Sequence, residues 1–126
     1  IFIIHFLIFA AYAYQCVFAT KKFLDKFQID DTGAGMTRFF GSLFIGAIVM
    51  AVWIGFIRPE GLQGTWGFFN LVFAQNMCAF LVGIYTIKIN KLGHTPQTSN
   101  EGIIAPGILT LLSAILCFGL ADKIYY

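Results

Sequence analysis

Five side chains in this chain carry donor atoms that could ligate a pigment: the imidazoles of His5, in an apolar run, and His94, in a polar loop, and the carboxamides of Gln15, Gln75 and Asn76. Each can present one N or O lone pair. A hard cation such as the magnesium of a chlorophyll accepts one axial N or O donor, so any one of these residues could hold a pigment. His5 is the foremost candidate, because an imidazole flanked by Phe2, Phe6 and Phe9 needs a polar partner. The plainer reading gives each of them water or a neighbouring backbone carbonyl instead.

Three carboxamides fall in NLVFAQNMCAF, residues 70–80. With Asn70 at zero, Gln75 lies at about 140° and Asn76 at about 240° around a helix turning 100° per residue. They cannot line one narrow pore together. The arithmetic predicts a seam of Val72, Gln75, Asn76, Ala79 and Gly83, centred near Asn76 and Gln75, with Phe73, Met77, Phe80, Leu81 and Ile84 opposite it. Small side chains allow close helix approach and carboxamides hydrogen-bond across it, at about 0.6–2 kcal/mol each. The cofactor candidates are therefore His5, Gln75, Asn76 and His94, with chlorophyll, carotenoid or structural lipid as the expected ligand. Asn70 reads as an interfacial residue.

Other chemistry finds no motif. Cys16, Cys78 and Cys117 occur singly in three different apolar segments, without the spacing of a metal clip or redox pair, and read as buried thiols. His5 and His94 are far apart, so no metal centre is expected. No phosphate-binding glycine loop or nucleophile elbow is present. No carboxylate falls in mid-segment, which removes the usual signature of an ion-coupled carrier.

The elements that must position these residues follow from composition. The chain has 126 residues, of which 59% are hydrophobic and 11% charged, with a mean hydropathy of +0.81. So much apolar surface cannot be hidden in one small soluble core. Four runs reach the roughly 20 residues a membrane helix requires, at 1–19, 37–57, 67–89 and 103–120. The expectation is an all-α polytopic membrane protein, one domain folded as a four-helix bundle. Lys21, Lys22, Lys26, Arg38, Lys88 and Lys91 fall on one side, against Arg58 and Lys123 on the other. That bias places the 20–36 and 90–102 connections on the cytoplasmic, stromal or matrix side. A net charge of +2 gives no argument for a nucleic-acid partner.

Asp31 or Thr32 is expected to cap the second span, and the short turn at 58–64 is expected to make spans two and three antiparallel neighbours. Ser42 and Gly46, then Ala47, Ala51 and Gly55, form two small-residue stripes on span two. Pro106 falls in the first turns of the last span, where its missing N–H costs little. The first residue already lies inside an apolar run. This is compatible with a processed organellar product.

The segment from Phe23 through Asp30, Asp31, Gly33 and Gly35 to Arg38-Phe-Phe-Gly41 and Gly46 joins a short amphipathic turn to a glycine-rich opening of the next span. In this, and in its compact four-span plan, the chain resembles the DoxX-like and related uncharacterised four-helix membrane families. The resemblance implies a membrane bundle and carries no catalytic residue.

These readings converge on a non-catalytic accessory subunit of a large membrane energy-converting complex. A photosystem with light-harvesting antenna in a thylakoid is favoured over a mitochondrial respiratory complex. Membrane lipid and other integral-membrane subunits are the expected partners. A small carrier and a DoxX-like redox protein are the alternatives.

Overall fold

The structure is a computed structural model, which describes residues 1–90, 92 and 95–126. The described residues are helical wherever they are regular: α1 Phe2–Val17, α2 Thr20–Lys26, α3 Ala34–Val52, α4 Trp66–Lys88, α5 Glu101–Gly119 and α6 Ala121–Ile124. α3 is preceded by a 3₁₀ turn, Asp31–Gly33, and runs on into a π-helical turn, Trp53–Ile57. Three segments are long and apolar enough to cross a membrane: Asp31–Ile57, Trp66–Lys88 and Glu101–Gly119. The bent pair α1–α2 would make a fourth. In each of the three, only 17% of the apolar window is buried within the chain, so the rest needs lipid or another protein around it.

The helices form two pairs. α1 packs on α3 and α4 on α5, while α1 against α5 joins the pairs. Gly41 sets the first crossing: a Cβ there would come within 2.7 Å of Cys16 Cβ and 2.8 Å of Val17 Cγ2. Gly83 sets the second, since a Cβ would lie 2.6 Å from the Gly102 carbonyl oxygen. Pro106 has no N–H to donate to that carbonyl. The carbonyl instead faces the bare Gly83 position on α4.

The expectation that spans two and three are neighbours is not met. Although the 58–64 turn joins them, α3 and α4 share no close backbone contact. Their backbones are held apart by aromatic rings: Phe6 and Phe9 of α1 form a core with Ala51, Val72 and Leu109, ringed by Phe44 and Phe68. Phe6 stacks on Phe68 at 5.9 Å, and Phe9 meets Phe44 edge-on at 4.9 Å. A second cluster, Ile54, Phe69, Leu116 and Ile124, closes the end where α6 folds back.

α2 turns 99° away from α1. Thr20 starts it by donating its hydroxyl back to the Cys16 carbonyl at 2.8 Å. It stops at Gln28, whose φ of 57° is left-handed. Ile29 N–H then bonds the Leu24 carbonyl at 2.8 Å and Gln28 N–H bonds that of Asp25 at 3.2 Å, a Schellman closure with Gln in the usual glycine position. The cap before α3 is Asp30 rather than Asp31 or Thr32: its carboxylate accepts from Asp31 N–H at 2.8 Å and from the Thr32 hydroxyl at 3.2 Å. Asp31 is instead bonded to Lys21 at 2.8 Å.

Candidate functional site

Two polar groupings stand out in an otherwise apolar interior. The first joins α1, α4 and α5. Asn76 Nδ2 lies 3.0 Å from His5 Nε2, 3.2 Å from Ser113 Oγ and 3.3 Å from the Leu109 carbonyl oxygen. Ser113 donates its hydroxyl within its own helix, to Leu109 O at 2.7 Å or Thr110 O at 3.1 Å. A carboxamide oxygen in the Nδ2 position would face the Leu109 carbonyl, so the network assigns nitrogen there. His5 Nε2 is then an acceptor, which puts the ring proton of a neutral imidazole on Nδ1. Nδ1 has no partner among the described residues.

His5 is wholly enclosed and Asn76 is 5% exposed. Phe6 and Phe9 cover the imidazole, with centroids 4.6 and 4.8 Å away. A magnesium tetrapyrrole would need open space over the donor atom. This pair instead locks α1 onto the α4–α5 hairpin. His5 does find the polar partner its surroundings demanded.

Gln75 lies elsewhere. It is exposed on α4, and so is Ala79. The buried line of α4 runs through Phe69, Val72 and Asn76, with Phe80 and Gly83 continuing it. At 100° per residue that line is rotated by about 50° from the expected seam, enough to turn Gln75 and Ala79 outward. Asn70 meets Tyr125 at 3.1 Å near the α6 end, as an interfacial residue would. His94 lies outside the described residues. Among the thiols, Cys16 is buried as expected, Cys117 is partly buried and donates to the Phe69 carbonyl at 3.4 Å, and Cys78 is exposed.

The second grouping was not singled out in the sequence. Tyr12 donates its phenol to Glu101 Oε2 at 2.7 Å, and Lys26 Nζ donates to the same oxygen at 2.9 Å and to Gln15 Oε1 at 2.8 Å. The Lys26 ammonium also lies over the Tyr12 and Phe27 rings, 5.7 and 5.6 Å from their centroids. Ser99 N–H bonds the Lys26 carbonyl at 3.1 Å, so the end of α2 is tied to the start of α5 twice. The four side chains come from positions 12, 15, 26 and 101, a separation no local spacing encodes.

This cluster edges a cleft of about 540 Å³ between the two helix pairs. Tyr12, Phe40 and Phe44 line one wall, Cys78, Ala79 and Val82 the other, and Leu109, Pro106 and Ala105 the floor. Phe23 and Phe27 of the turned-over α2 segment close one end. Among the described residues, no group of three or more His, Cys, Asp or Glu could hold a metal ion. Compared with known proteins, the chain matches no family model, no curated protein and no solved structure.

Proposed function

We propose that this chain is a non-catalytic accessory subunit of a larger energy-converting complex in an organellar membrane, bound through the outward faces of α3 and α4. The observation that carries this reading is Gln75. It lies in the middle of a 23-residue apolar helix, is exposed, and makes no side-chain hydrogen bond among the described residues. A carboxamide facing acyl chains leaves its donors and acceptor unmet, at a cost of about 1–3 kcal/mol, whereas a neighbouring helix can satisfy them. Ser42 and Gly46 of α3 are also exposed, and a Cβ added at Gly46 would meet nothing within 4 Å. These small residues leave room for a further helix to approach closely.

Within that class we favour a photosystem with its antenna in a thylakoid over a respiratory complex. Of the candidate ligands, Gln75 presents an exposed carboxamide oxygen on the outside of α4 that would hold the magnesium of a chlorophyll. A photo-crosslinking amino acid placed at position 75 tests the interface in native membranes. Adducts with another integral-membrane subunit are expected, and adducts with lipid alone would refute the reading. The pigment is tested by the visible spectrum of the purified complex, which should lose absorbance in Gln75→Leu.

A further inference from the structure

We infer that the cleft between the two helix pairs binds one uncharged amphiphile with a flat, carbonyl-bearing head and a single apolar tail, the chemistry of a lipid-soluble quinone. The inference rests on the cleft and not on the outer face of α4, so it stands or falls separately from the subunit reading.

Size and shape come first. A volume of about 540 Å³ lies within the roughly 300–1,000 Å³ typical of small-molecule sites. It has room for a ring and the first part of one tail. A two-tailed lipid would have to place both chains in a cleft that α2 closes at one end. The walls near that end are aromatic, with Phe23, Phe27, Phe40, Phe44 and Tyr12 presenting faces and edges to a planar ring. Away from it, Ala79 and Leu109 suit a tail. Phe40 and Val82 are exposed on facing walls, so the cleft is open sideways between α3 and α4.

Charge selects the head. Lys26 and Glu101 neutralise each other at 2.9 Å, so the edge of the cleft carries no excess cation to match a phosphate. A donor remains. Lys26 does not line the cleft; its ammonium is held behind Tyr12 and Glu101, by Glu101 and Gln15. Ser99, which does line it, accepts from the Glu101 N–H through its oxygen, and among the described residues its hydroxyl proton has no acceptor. A hydroxyl donor beside a neutral pair matches a carbonyl oxygen. It does not match an anionic headgroup, which would also meet the Glu101 carboxylate.

The test uses the whole chain in mild detergent, with Phe44→Trp as the sole tryptophan in a Trp53→Phe, Trp66→Phe background and a decyl-tailed benzoquinone as the probe. Fluorescence from position 44 should be quenched saturably. Ala79→Phe, which fills the cleft from an exposed position on α4, should abolish saturation while leaving the helical circular dichroism unchanged. Ser99→Ala should weaken the apparent Kd by about threefold to tenfold, the loss of one neutral hydrogen bond. Quenching that rises linearly with quinone and is the same in Ala79→Phe would overturn the inference. So would displacement of the quinone by an anionic phospholipid but not by a neutral one.

Discussion

At the residue scale, the weight falls on Asn76. Its carboxamide joins α4 to both α1 and α5, donating to His5 and to the Ser113–Leu109 turn. Replacing it with Leu keeps the volume but leaves the buried His5 Nε2 without its donor, while the Leu109 carbonyl keeps the Ser113 hydroxyl. Asn76→Leu should therefore lower stability by about 1–3 kcal/mol in detergent unfolding. Ser113→Ala should cost under about 1 kcal/mol, because the Ser113 hydroxyl donates mainly into its own helix. Equal losses would mean that the cluster does not hold α1 to the α4–α5 pair. The thiols separate by the same geometry: N-ethylmaleimide applied to the folded chain should label Cys78 and spare Cys16, as mass spectrometry of the intact protein would record. The need of His5 for a partner was legible from its phenylalanine neighbours. The partner was not, because the two residues are 71 apart and nothing in their spacing couples them.

At the element scale, small residues on α3 play unequal parts. Gly41 faces Cys16 and Val17 at distances no side chain tolerates, so Gly41→Ala should force α1 from α3 and cost about 1–3 kcal/mol. Gly46 faces open space, and Gly46→Ala should stabilise the isolated chain slightly, by up to about 1 kcal/mol, as a helix-interior Gly gives way to Ala. Thermal unfolding of the two variants in one detergent decides it; equal destabilisation would contradict the packing described. The sequence showed both stripes of α3 but could not tell which one the chain uses itself. Periodicity gives a face, and only tertiary packing says what meets it. The same limit misplaced Gln75: adjacent positions differ by about 100°, and a modest rotation of the buried line separates it from Asn76. The 58–64 turn bounds its helices closely, whereas the expected 20–36 connection contains the whole of α2 and the start of α3, because its mixed polar and apolar residues fold as a short helix rather than a loop.

At the scale of the whole molecule, a helical chain with long apolar segments was legible from length and composition alone, the structure having three, or four when the bent α1–α2 pair is taken as one. Their pairing was not. A seven-residue turn between α3 and α4 suggested a hairpin, yet bulky phenylalanines from α1 fill the space between them and the pairs become α1–α3 and α4–α5. That arrangement opens the cleft, edged by Tyr12 and Glu101, which Lys26 and Gln15 brace from behind across three elements. It also leaves most of each long helix uncovered. On the proposed reading, part of that surface is lipid-facing and part is subunit interface.

The central claim, that this chain works as part of a larger membrane complex, is tested most directly by the mass of the particle that mild detergent releases from native membranes. The account predicts a particle many times the 14.0 kDa of the chain, containing other integral-membrane subunits. Release as a single 14.0 kDa chain in its own micelle would contradict it.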